Sequence, residues 1–152
     1  MCTAAEMLRR ANTIDIEQQA GEVVDEHQQE YLQLIKEQLH EGKSKEGTTI
    51  NPAYKADNYS NRRYAIKKYV ENSTPGYGNP DLYLSGNLYN ALKMARSKNE
   101  LVITSGVDYF QFIDKRYGDT PFGLDNDSKE IYRDTVLYPA LQRRVNLILT
   151  GF

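Results

Sequence analysis

The residue types able to do chemistry in this chain are few and scattered. Its two histidines, His27 and His40, are 13 positions apart. On one helix that is nearly four turns, too far for both to hold one metal ion. Asp25 with Glu26, Asp108 with Asp114, and Asp125 with Asp127 have the composition of general acid–base pairs. The first pair belongs to a solvated helix face, and the others read as caps and loop residues. Asp125-Asn126-Asp127 lacks the glycine and closing glutamate of a calcium loop. Gly76, Gly78 and Gly86 have no Lys-Ser/Thr after them to complete a phosphate loop. Ser85 beside Gly86 lacks the G-x-S-x-G frame of a nucleophile elbow. The single cysteine, Cys2, has no internal partner for a disulfide. These residues point away from an enzyme and call for no metal and no cofactor.

A second set suits binding. Tyr54, Tyr59, Tyr64 and Tyr69 alternate with Lys55, Arg62, Arg63, Lys67 and Lys68. Aromatic faces interleaved with cations are the ingredients of a single-strand nucleic-acid groove. They also suit an acidic protein surface. A tyrosine every fifth residue turns by about 140° per step on a helix, so the rings cannot share one face. Tyr54, Tyr59, Arg62, Arg63, Lys67 and Lys68 are the candidate interface residues.

The elements that must carry them follow from pattern. In 14–39 the apolar residues Ile16, Ala20, Val23, Val24, Tyr31, Leu34, Ile35 and Leu39 recur at helical spacing. Six carboxylates lie between them, so one long amphipathic helix with an acidic face is expected. Gly21 weakens it and Gly42 ends it. The stretch 43–80 reverses the charge and is rich in Gly and Pro. It reads as a long basic loop region, with helical composition at 60–70. The residues of 88–96 fit helix or strand. A polar turn at Ser97-Lys98-Asn99-Glu100 and the β-branched run 101–105 predict a hairpin. Asp108 is placed to cap a helix through Tyr117 that buries Tyr109, Phe112 and Ile113, with Gly118 as its stop. Asp127 and Glu130 form a capping-box pair for a last helix with the stripe Ile131, Leu137, Leu141, Val145 and Ile148. Pro139 must kink or divide that helix.

The whole is expected to be one α+β domain over 1–152, with a flexible tail at 1–13. A hydrophobic fraction of 39 % and a charged fraction of 26 % fit a folded protein, and a net charge of −2 argues against a surface built throughout for nucleic acid. No apolar run approaches the roughly 20 residues that cross a bilayer, and 1–13 lacks the apolar core of a secretory signal. The chain has 12 tyrosines and no tryptophan, a composition that suits surfaces part apolar and part wet.

The order of the later motifs adds a resemblance. Lys67-Lys68 is followed by Leu82-Tyr83-Leu84-Ser85-Gly86-Asn87-Leu88, the strand 101–105, Tyr109, Tyr117-Gly118, Pro121-Phe122 and Pro139-Ala140-Leu141. Over about 40–145 this resembles the tail-completion and virion-morphogenesis proteins of tailed bacteriophages, which join the head–neck complex to the tail. The interval between Gly118 and Pro121 is shorter than that family's. The resemblance implies an antiparallel sheet with a long N-terminal and a C-terminal helix. It also implies a homo-oligomeric ring at the head–tail junction of the virion, contacting connector or adaptor and tail-tube proteins, without catalytic residues. A nucleic-acid-binding module using 54–69 is the alternative.

Overall fold

Among the described residues, short polar caps decide where three of the helices begin. The computed structural model describes residues 2–53, 59–71, 79–83 and 85–151, with 59–62 and 71 described by their backbone alone. Thr3 and Glu6 form a reciprocal capping box that starts α1 (Ala4–Ala11). Asp15 accepts from the Gln18 N–H at 3.0 Å and starts α2 (Ile16–Glu26). After α3 (Gln28–His40), Gly42 at φ +72° closes a two-bond stop: its N–H donates to the Leu39 carbonyl and that of Lys43 to the Gln38 carbonyl. Then come α4 (Tyr59–Glu71), α5 (Asn87–Asn90), the strands β1 (Leu92–Ser97) and β2 (Glu100–Ser105), α6 (Phe110–Tyr117), α7 (Asn126–Tyr132), a π turn (Arg133–Leu137) and α8 (Tyr138–Thr150).

The expected α+β architecture is what forms: helices, one antiparallel hairpin and a C-terminal helix packed against it. Leu92 and Met94 of β1 and Ile103 of β2 turn inward, where they meet Leu32, Ile35 and Leu39 of α3 with Phe122 and Leu124. Burial alternates over Leu92 to Ala95 with the two-residue period of a strand covered on one face.

Several boundaries differ from expectation, each for a tertiary reason. The segment expected to be a flexible tail contains α1, which packs on α8. Arg10 Nη1 donates to the carbonyls of Ile148 and Leu149 at 3.3 and 3.2 Å, supplying a cation to a helix end whose own last turn has none. The long helix over 14–39 is broken, but at His27 and not at Gly21. His27 leaves helical geometry (φ −111°, ψ 35°); its carbonyl accepts the Tyr132 hydroxyl at 3.3 Å and its ring bonds Glu30 at 3.0 Å. At Gly21 a Cβ would lie 2.6 Å from the Arg96 guanidinium. That arginine crosses α2 there to grip Asp25 through two nitrogens at 2.8 and 3.1 Å.

The last helix is capped by Asp125, not Asp127: its carboxylate accepts from the Ser128 N–H at 2.8 Å. Pro139 divides the helix as expected. It has no N–H to give Thr135, and the π turn just before it widens the ladder so that the Tyr138 N–H reaches back to Arg133. The stripe differs from the expected one: Tyr132 and Ala140 are buried while Ile131 is exposed. The cap of α6 falls at Tyr109, so Asp108 lies one position too early. Phe110, Ile113 and Tyr117 face inward, leaving Tyr109 and Phe112 exposed. In the first part of the basic region, the segment after Gly42 folds back on itself through Ser44–Thr48 and Ile50–Gly42 backbone bonds. Among the described residues, no helix is long and apolar enough to cross a membrane.

One buried polar residue joins the layers. Gln38 of α3 donates to the Gly123 carbonyl at 2.8 Å and accepts from the Asp125 N–H at 2.9 Å. Gln38→Met keeps the length and removes both bonds, leaving a donor and an acceptor unpaired inside. The expected loss is about 3 kcal/mol, read as a lower urea midpoint at unchanged slope.

Candidate interface helix and its buried anchor

The helix α4 carries apolar residues on its exposed side. Ala65 and Lys68, three apart, are buried. Arg63, Ile66, Lys67 and Val70 are exposed and follow the i, i+3, i+4, i+7 spacing of a single helical face. Val70 is 71 % exposed and Ile66 47 %. Tyr64 and Tyr69 also stand exposed, about 140° apart around the helix axis, so they flank the buried side and do not stack as one platform.

What holds α4 down is a charge pair. Lys68 Nζ lies 2.8 Å from Asp81 Oδ1, with the side chains 2 % and 0 % exposed. The same ammonium donates to the Tyr83 carbonyl and stands 5.7 Å from the centre of the Tyr83 ring. Asp81 turns back on its own chain: Oδ1 also accepts the Tyr83 N–H at 3.0 Å, an Asx turn. Between them Leu82 sits at φ +54°, a left-handed conformation that costs a bulky residue about 1–2 kcal/mol. The Asp81 carbonyl accepts the buried Tyr89 hydroxyl, and the Tyr83 and Tyr89 rings meet edge to face at 5.1 Å. Gly86, at φ +81°, supplies the tight turn between the two tyrosines; a Cβ there would touch the Tyr83 ring. Burial, and after it the Asp81 carboxylate, push the Tyr89 phenol far above its ordinary range.

The chain matches no family model, no curated protein and no solved structure.

Of the candidate interface residues, Tyr54 lies outside the described residues. Tyr59 and Arg62 are on α4, where the backbone alone is described. Arg63 and Lys67 are exposed as a binding surface requires. Lys68 is a correction: it faces inward and is held by Asp81, so it is a structural anchor and offers no charge to a partner. The acidic face of α2 is engaged within its own chain. Arg144 bonds Gln19 at 2.6 Å, Glu26 at 2.8 Å and Glu22, and Arg96 takes Asp25. His27 and His40 stand at opposite ends of α3, and among the described residues no group of three or more His, Cys, Asp and Glu could share a metal ion.

Sequence reasoning missed Asp81 and Tyr83 as partners of Lys68, and Tyr89 as the support of Asp81. A signal was present: Ala65, small and apolar, lies a helical turn before Lys68, which marks the inward side.

Removing one member of the pair strands a buried charge. Lys68→Met or Asp81→Leu alone is expected to cost about 3–5 kcal/mol, whereas the double variant recovers most of it; chemical denaturation of the three proteins checks this. Alkaline pH supplies a second test. Burial raises the Tyr89 phenol and pushes that of Tyr132 up to about 12, against about 10 in an unfolded chain. Folding therefore keeps these protons longer. Their contribution is complete below about pH 10 and is lost as pH rises through the folded values. The urea midpoint should fall above about pH 10, and less steeply in Tyr89→Phe.

Proposed function

We propose that this chain is a structural protein of the neck or tail terminus of a tailed-phage virion. It assembles into a ring that joins tail-tube to connector or adaptor proteins, and it acts as a building part, without catalysis or a cofactor. Two things support the reading. The first is the ordered motif series over about 40–145. The second, which carries most weight, is α4: a helix pinned by a buried ion pair that holds Ile66 and Val70 out to solvent beside Arg63 and Lys67. A helix fixed this firmly, with a mixed apolar and basic stripe, has the character of an interface whose partner is apolar and acidic.

Within a homo-oligomer that partner is a different surface from the stripe itself, which is basic and would repel its own copy. The contact is then heterologous, and heterologous contacts close into rings when the rotation allows. The face presented in return excludes Glu22, Asp25 and Glu26, which are already paired within the chain, Asp25 with Arg96 and the two glutamates with Arg144.

The nucleic-acid alternative draws on fewer residues than the sequence offered it. Lys68 is withdrawn into the interior, and Tyr64 and Tyr69 point to different sides of the helix. Fluorescence anisotropy against single- and double-stranded DNA separates the readings. Binding that weakens steeply with salt and with Arg63→Ala and Lys67→Ala supports nucleic acid.

Mass photometry and sedimentation at rising concentration are expected to show a ring-sized species. Ile66→Asp with Val70→Asp should weaken assembly at least about thirtyfold while the far-ultraviolet spectrum stays unchanged. A strictly monomeric chain, absent from purified virions, overturns the proposal.

A further inference from the structure

Among the described residues, no strand pairs with the outer edge of β2. Ser97 and Glu100 flank the two-residue turn, and pairing alternates from there, so Glu100, Val102 and Thr104 direct their backbone N–H and C=O groups at β1. A bond from the Gly106 N–H to the Ala91 carbonyl at 3.1 Å continues the same alternation. Leu101 and Ile103 therefore direct theirs the other way. Among the described residues nothing hydrogen-bonds to those outward groups.

A groove of about 670 Å³ runs along this edge, and 100–104 line it without a gap. A sheet face would contribute alternate residues only, so an unbroken run marks the edge itself. Phe110, Phe122 and Leu124 form the facing wall, the two rings 5.3 Å apart. Three carboxylates, Glu100, Asp114 and Asp119, oppose two ammonium groups, Lys45 and Lys129, a net charge of −1. Lys45 is held by Asp119 at 2.7 Å, so Glu100 and Asp114 outnumber Lys129 in what remains for a ligand. Open edges of this kind are usually blunted by proline, a bulge or an inward charge; the edge of β2 has an aromatic wall beside it.

We propose that this groove is a strand-addition site for an extended segment of a partner protein, with apolar residues at alternate positions and a basic residue among the others. The outward groups of Leu101 and Ile103, two residues apart, match the spacing of a paired strand. Alternate side chains of the guest fall on Phe110 and Phe122, and the carboxylates accept its cation. A second copy's β2 is a poor guest, because its edge lies in the same recess and two concave edges do not meet. The site is remote from the α4 stripe in function and stands whether or not the chain forms a ring.

Fluorescein-labelled heptapeptides alternating Val with Thr, one series ending in Lys and one in Glu, are titrated into the full chain by anisotropy. The Lys series is expected to saturate, to bind more tightly than the Glu series, and to slow hydrogen exchange at the Leu101 and Ile103 amides. Leu101→Pro removes an outward donor and leaves the β1 ladder intact, and should weaken binding about tenfold. Leu101→Ala keeps the donor and should stay within about threefold. Absence of saturable binding in both series overturns the proposal, as do equal losses in the two variants. Protection of those amides by protein concentration alone also overturns it, since a second copy then fills the edge. If Leu101→Pro fails to fold, exchange protection in the native chain decides.

Discussion

Lys68 and Asp81 bring opposite charges into a space that water does not reach, and neither can be there without the other. The pair alone would recover little of what its desolvation costs. Its geometry compensates through neighbours: the Tyr83 N–H and carbonyl, the Tyr89 hydroxyl on the Asp81 carbonyl, and a left-handed Leu82 that folds the acid back on itself. Specific placement is what this arrangement supplies. A helix seated by greasy contacts can slide by a turn, whereas one seated by an ammonium group in a three-sided cage has one position. The apolar residues of α4 are thereby left free to face outward.

The same logic operates at the surface on the N-terminal helices. Carboxylates that look in sequence like one solvated acidic face are shared between two arginines from distant elements, Arg96 of β1 and Arg144 of α8. Hydrogen bonding from Arg96 holds the Asp25 carboxyl below its ordinary range. Exposed pairs of this kind contribute little stability singly. Together they set the orientation of α2 against the hairpin and the last helix, and they leave the chain less acidic towards its surroundings than the run of glutamates suggests.

Features with a local cause were legible in the sequence. The hairpin turn at Lys98-Asn99, the stops at Gly42 and Gly118 and the helix inside the basic region all follow from a few adjacent residues. Features with a remote cause were not. The break at His27 depends on a tyrosine hydroxyl 105 positions away. The order of α1 depends on Arg10 reaching the end of α8. Asp125 takes the cap from Asp127 because Gln38 fixes its backbone. Lys68 read as a surface cation like its neighbours because charge in sequence carries no information about what lies across the fold.

The π turn before Pro139 has a consequence for how this chain tolerates change in length. Its wider spacing adds a residue between two α-helical segments, and α8 takes its rotation from that residue. Removing one position from 133–137 would turn everything after it by about 100°. Ala140 would leave the core and Arg144 would swing away from Glu22 and Glu26. Side-chain identity in the segment is therefore less constrained than its phase, and the number of residues there works as a fixed angular setting between the two halves of the last helix.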